Sequence, residues 1–291
     1  MPNRQSRYAL TTSPLYKLRS RSKLARLLHI TNAELRHLCQ GDALYREFDT
    51  PKKTGGLRHV ENPARPLKVV QARLARLLSR IAPPDYLYCP VKGRCYVSNA
   101  ARHAGHRVVR CLDIKKFFPN TSSRRVFWFF HKVLACEKDI AGLLTQLSTY
   151  QSHLPTGSPL SPILAYFAHI DMWDAIAAIC TVRGFTLTVY IDDCTVSGDR
   201  ISDHDIWAIK RQIHRTGLRY HKEKAYFDGC AEVTGTIVRA GKVVAPNRQL
   251  LKLRTAVLAL ANAPGPARGD LQRQISGLKG QIKQISAANH R

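Results

Sequence analysis

The chain has 291 residues, with 46 Lys and Arg against 20 Asp and Glu, a formal net charge of +26 and 44% hydrophobic residues. That apolar content supports a sizeable core in one or two domains and excludes a disordered polyelectrolyte, while the charge balance is the electrostatic footprint of a polyanion partner. No run of 18 apolar residues exists. The nearest, 163–180, is broken by His169, Asp171 and Asp174 and is expected as one buried amphipathic helix rather than a membrane span. The basic stretches lack the aromatic-rich apolar face of an interfacial helix, so no membrane partner is expected. The N-terminus has no hydrophobic signal core, and the eight Cys form no Cys-x-x-Cys pair or zinc spacing. These features point to a cytoplasmic protein with reduced thiols.

In chain order, Leu24, Leu27 and Leu28 fall at helical spacing within 21–30. Thr31-Asn32-Ala33-Glu34 has the form of a capping box, so a second helix starts there and runs to about Gly41. Residues 44–48 and 57–61 form a predicted hairpin across Pro51-Lys52-Lys53-Thr54-Gly55-Gly56. Leu67, Val70, Leu74, Leu77, Leu78 and Ile81 make one apolar helical stripe, stopped by Pro83-Pro84. A short strand over 107–114 precedes two helices, near 122–135 and 139–150. A helix is expected over 203–216. The last 45 residues read as two basic helices split by Ala263-Pro264-Gly265-Pro266. Charge is uneven: no acid precedes Glu34, and from residue 233 on Asp270 is the only acid against ten Lys and Arg. A basic run is commonly a solvated face, but two acid-depleted ends in one folded chain favour nucleic acid.

Tyr190-Ile191-Asp192-Asp193 sits between two apolar, β-branched runs, so the two acids fall at the turn of a predicted strand pair. Two charges beside a buried strand are costly unless a cation neutralises them, and a rigid acidic turn suits Mg2+; a solvated turn is the plain alternative. Asp113 ends a second strand, 79 residues earlier. Nucleotidyl transfer with two metals uses carboxylates from neighbouring strands, and Asp113 would meet Asp192 and Asp193 if their strands lie side by side. His103-x-x-His106 has no second ligand pair nearby and is not read as a metal site.

The order of motifs resembles a retron-type reverse transcriptase over about residues 20–290. Lys53-Thr54-Gly55-Gly56-Leu57-Arg58-His59-Val60 looks like the fingers motif, and Leu112-Asp113-Ile114-Lys115-Lys116-Phe117-Phe118-Pro119 like the first palm motif. Leu154-Pro155-Thr156-Gly157-Ser158-Pro159-Leu160-Ser161-Pro162 resembles the primer- and nucleotide-contacting loop, and Tyr190-Ile191-Asp192-Asp193 the catalytic hairpin. Asn99-Ala100-Ala101-Arg102-His103 and Val233-Thr234-Gly235 fit two signatures of the retron type. The chain departs from the pattern at Thr156, where Gln is usual, at Cys95 and Tyr96, where Ser and Ile are usual, and at His221, where Asn is usual.

The resemblance implies an α+β right-hand polymerase with a palm of antiparallel sheet and helices and a helical thumb. Its parts would be basic N-terminal helices (1–41), fingers (42–106), palm (107–240, with the loop 151–162) and thumb (241–291). It implies catalytic Asp113, Asp192 and Asp193, and two Mg2+ held at Asp113, Ile114, Asp192 and Asp193. Nucleotide would be bound by Lys53, Arg58, Phe118, Thr156, Gly157 and Lys224, with Tyr190 supporting the primer end. RNA would be bound by Asn99, His103, Arg273, Lys279 and Lys283. The implied activity is RNA-directed synthesis from dNTPs on a cognate non-coding RNA, primed from an RNA 2′-hydroxyl to give a branched RNA–DNA hybrid (msDNA). A nearby effector protein and anti-phage defence are implied too. Competing expectations are an intron or diversity-generating reverse transcriptase, a catalytically silent RNA-binding scaffold, and a nucleotide cyclase. The first usually lacks the two retron signatures, the second does not need three intact acids, and the basic thumb and fingers motif argue against the third.

Overall fold

Capping chemistry sets the first elements. The computed structural model describes residues 7–40, 44–52, 55–261 and 263–290. Ser20 caps α1 (Arg21–Leu28) by accepting from the Lys23 amide. Thr31 and Glu34 form the reciprocal capping box of α2 (Asn32–Leu38), and the two helices bury Leu24, Leu28, Leu35 and Leu38. β1 (Tyr45–Pro51) and β2 (Leu57–Pro63) form an antiparallel ribbon in which Glu47 faces Glu61 and Thr50 faces Arg58. α3 (Arg65–Leu78) buries the predicted stripe, and Ile81 just beyond it is also buried.

Next come β3 (Leu87–Cys89), α4 (Tyr96–Ala101), β4 (Val108–Ile114), α5 (Phe117–Asn120) and α6 (Ser123–Trp128), which runs into a π-helical turn over Phe129–Val133. α7 (Lys138–Ser148), α8 (Ser161–Ala168) and α9 (Ile170–Arg183) lead to the hairpin of β5 (Thr186–Tyr190) and β6 (Asp193–Gly198). α10 (Asp203–Arg215) precedes β7 (Tyr220–Tyr226), and β8 (Cys230–Val233), β9 (Thr236–Arg239) and β10 (Lys242–Val244) form a small antiparallel sheet. Two helices, α11 (Asn247–Ala261) and α12 (Gly265–Ala287), close the chain, with the predicted break between them.

The fold is α+β. Its central sheet has the order β3-β5-β6-β4-β7, antiparallel throughout except for the parallel β3–β5 pair. Period-two alternation splits its faces. Leu112, Ile114, Leu187, Val189, Cys194 and Val196 enter the main core with α8 and α9. On the opposite face Val109 joins a smaller core with Val97, Ala100, Ala231, Val233, Val238 and Val243. That second core pins α4 and the β8–β10 sheet over one end of the central sheet and leaves the Asp end open.

One expected element divides. The helix predicted over 163–180 is two helices bent by 66° at His169. The backbone leaves helical geometry there while the fully buried His169 ring reaches Thr121 Oγ1 at 3.2 Å. Among the described residues no single helix is long and apolar enough to cross a membrane. None of the eight cysteines forms a disulfide.

Candidate active site

Strand register brings the acids together. β4 and β6 pair so that Asp113 stands directly opposite Asp193, and the Ile114 amide donates to the Asp192 carbonyl at 3.0 Å. Tyr190 pairs with Asp193, which leaves Ile191 and Asp192 as a two-residue turn. Ile191 has a φ of 60°, a left-handed conformation costly for a β-branched residue, so the hairpin holds Asp192 in a strained turn. Tyr190, Asp193, Thr195, Cys111 and Asp113 then share a cavity of about 350 Å³ with Lys222, Lys224, Glu232, Thr234 and Gly235. Lys222 faces Asp113 and Lys224 faces Cys111 on the adjoining strand β7.

The electrostatics follow from this crowding. Burial first, then the Asp192 and Asp113 charges, push the Asp193 carboxyl up to about 7, with Lys224 opposing. Asp192 is also raised, mainly by burial and then by Asp113, while Arg58 and His221 pull it down. Arg58 is exposed on β2, and its pull on Asp192 links the ribbon to the acidic turn. His221 Nδ1 lies 3.5 Å from Asp113 Oδ1. Among the described residues no three His, Cys, Asp or Glu side chains form a preassembled cation cage; the aspartates converge through register alone. The all-oxygen donor set still fits a hard divalent cation, because raised carboxyls are groups that such a charge returns to their ionised form. With the Ile114 amide spent on Asp192, Ile114 can offer a cation only its carbonyl.

The other expected residues divide by placement. Phe118 is half-buried beside Phe117, which is core and stands edge-on to Trp173 at 6.3 Å. Lys224 borders the acid cavity. Lys53 lies outside the described residues. Thr156 and Gly157 are bound to the backbone of β2: Thr156 Oγ1 donates to the His59 carbonyl at 3.0 Å and accepts from the Glu61 amide at 3.1 Å. Arg273, Lys279 and Lys283 are exposed on α12, Arg273 in an ion pair with Asp270.

Asn99 and His103 are not at an RNA-facing surface. His103 is fully buried, its ring nitrogens each 2.7 Å from Ser197 Oγ and Thr188 Oγ1, and burial takes its pKa down to about 3. Asn99 is 1% exposed and donates to Thr234 Oγ1 at 3.3 Å. Thr234 in turn donates to the Tyr96 carbonyl at 3.1 Å. The two signature motifs are therefore bonded to each other inside the molecule, on the hairpin face that carries Asp193, and Thr234 and Gly235 line the acid cavity. Sequence reasoning missed Lys222, which alternation with Lys224 along β7 marks as facing the same way. It also missed Glu61, a buried carboxylate for which no sequence signal stands out.

Residues 50–234, more than half of the chain, match the reverse transcriptase (RNA-dependent DNA polymerase) family. The chain is 32% identical over 201 residues to the retron Mx65 reverse transcriptase of Myxococcus xanthus, covering 62% of this chain and 45% of that relative. It is 24% identical over 268 residues to the retron Se72 reverse transcriptase of Salmonella heidelberg (strain 579083-10), covering 84% and 69%. Against the retron Ec86 reverse transcriptase of Escherichia coli it is 26% identical over 228 residues, covering 74% and 70%. The chain thus spans under half of the first relative and about seven-tenths of the other two. The match includes the strands that carry Asp113, Asp192 and Asp193 and the ribbon that carries Arg58, and on this ground the chain belongs to the reverse transcriptase (RNA-dependent DNA polymerase) family, of the retron type.

Proposed function

We propose that this chain is an RNA-directed DNA polymerase that joins dNTPs to a primer at Asp113, Asp192 and Asp193. The observation that carries the reading is the register that sets Asp113 opposite Asp193 beside a strained turn bearing Asp192. Asp113, Asp192, Asp193 and the Ile114 carbonyl would hold two Mg2+, which when bound supply a lowered pKa at the primer hydroxyl and countercharge for the triphosphate. The chain's own groups do the rest. The Arg58 guanidinium offers a bidentate fork to phosphate oxygens, with Lys53 beside it in sequence. The Phe118 ring closes the space beneath the sugar 2′-position, and Lys224 stands where it can stabilise departing pyrophosphate. Tyr190 supports the primer end from the hairpin.

The retron resemblance extends the reading to a cognate structured RNA, priming from an RNA 2′-hydroxyl, an msDNA product, and anti-phage defence with an effector protein. Its support is the pair of signatures and the retron relatives. Arg273, Lys279 and Lys283 supply the RNA surface; exposed cations suit phosphate binding and recognition of RNA by shape. The division into N-terminal helices, fingers, palm and thumb belongs to the same proposal. The test is Asp192→Asn in primer extension with Mg2+. Synthesis falls to background while RNA affinity stays within about twofold, since a carboxylate at the site and no basic surface is changed. Undiminished extension overturns the assignment.

A further inference from the structure

Among the described residues β2 pairs with a strand along one edge only, that facing β1. Its other edge would present bare backbone groups, which proteins pair or cover. Here the segment between α7 and α8 covers it. Thr156 Oγ1 donates to the His59 carbonyl at 3.0 Å and accepts from the Glu61 amide at 3.1 Å. One hydroxyl thus brackets Val60 with the donor and acceptor that a parallel neighbouring strand would supply. The Gly157 amide donates to the Glu61 carbonyl at 3.1 Å, and the Glu61 carboxylate accepts from the Thr156 amide at 3.0 Å and meets His153 Nε2 at 2.8 Å. A Cβ on residue 157 would fall 2.6 Å from the Glu61 carbonyl oxygen, so the approach requires glycine.

The far side of the segment is anchored as firmly. Buried Ser158 donates to Gln71 Oε1 at 2.6 Å, and buried Ser161 donates to the Pro155 carbonyl at 2.6 Å. The segment is therefore a strut between the core and the strand bearing Arg58, whose charge reaches Asp192. The single hydroxyl proton of Thr156 is spent on His59. Gln, usual in the family at this position, carries its amide two bonds further out and would not place one atom between these two backbone groups.

We propose that Thr156 is a positioning residue, which with Gly157 and Glu61 sets the Arg58 strand at the distance from the aspartates that nucleotide binding needs. The proposal rests on the polymerase reading above. Three proteins decide it: wild type, Thr156→Val, which keeps the shape and removes the hydroxyl, and Thr156→Ser, which restores it. Steady-state kinetics on a generic primer–template give KM for dNTP and kcat, and hydrogen exchange reports the Glu61 and Gly157 amides. Thr156→Val raises KM about tenfold, the equivalent of one net hydrogen bond, with kcat within about threefold. It also speeds exchange at Glu61, and Thr156→Ser reverses both effects. Gly157→Ala, which removes no hydroxyl, raises KM in the same direction by pushing β2 away.

A raised KM with unchanged exchange at Glu61 means a direct nucleotide contact and overturns the strut. Equal losses in kcat and affinity that Ser does not rescue overturn it as well. A wild-type protein that extends no primer sinks the polymerase reading instead. The exchange comparison then still decides whether Thr156 holds β2.

Discussion

Phe117 and Phe118 are adjacent in one helical turn and have different surroundings. Phe117 is 3% exposed against Trp173 and His169, whereas Phe118 keeps part of its ring outside the core. Replacing Phe118 with Val opens space on the exposed side without hollowing the core. The ratio of kcat/KM for deoxy- over ribonucleotides should fall by about tenfold or more, the scale on which a pocket discriminates by shape. An unchanged ratio makes Phe118 a packing residue. At this scale the acids were legible because their chemistry is intrinsic: paired carboxylates beside buried strands need a cation wherever they stand. Thr156, His103 and Asn99 were not, because their partners lie 97, 94 and 135 residues away in the chain. Their polar atoms say nothing about direction until the strands are assembled.

The elements with local causes were read correctly. The capping box at Thr31, the β1–β2 ribbon and the stripe of α3 all follow from residues within a few positions of one another. The bend at His169 and the strand β7 did not show, since the first depends on a buried contact to Thr121 and the second is a polar strand, Tyr-His-Lys-Glu-Lys-Ala-Tyr, half exposed beside the site. The β5–β6 hairpin has its own vulnerability. His103 bonds both of its strands, and burial lowers His103 and His169 alike to about 3 from an ordinary 6.5. Between those values the unfolded chain binds protons that the folded one refuses. Stability is therefore full above pH 6.5 and lost as pH falls toward 3, by about 1.4 kcal/mol per unit for each histidine inside that window. Denaturant midpoints of wild type and His103→Gln at pH 7, 6 and 5 should show a shallower acid slope in the variant. Parallel slopes would mean that His103 takes up its proton without unfolding.

Across the whole molecule, the charge of +26 is densest at the two acid-depleted ends, and the stretch between them is net basic as well. Each phosphate neutralised on binding releases counterion, so RNA affinity should fall steeply with salt. Lys279 and Lys283 are one helical turn apart on α12, both exposed. Changing both to Ala should weaken binding to every RNA alike and flatten the slope of log K against log salt by about one unit for each phosphate that is no longer neutralised. Titrations of cognate and unrelated RNA across a salt series give the slopes; weakening confined to the cognate RNA would assign these lysines to sequence or shape recognition instead.

Asn99 and Thr234 are joined by a hydrogen bond inside the protein, 135 residues apart. That bond ties the two motifs to one another physically. Losing Thr234 leaves the buried Asn99 amide without this partner, whereas losing Asn99 still leaves Thr234 its bond to the Tyr96 carbonyl. The signatures by which such chains are sorted into a kind therefore record how the hairpin is braced. Thr234 and Gly235 also line the acid cavity, so a change in either signature reaches the cavity wall, and contacts with RNA are to be sought on the outward face of α12.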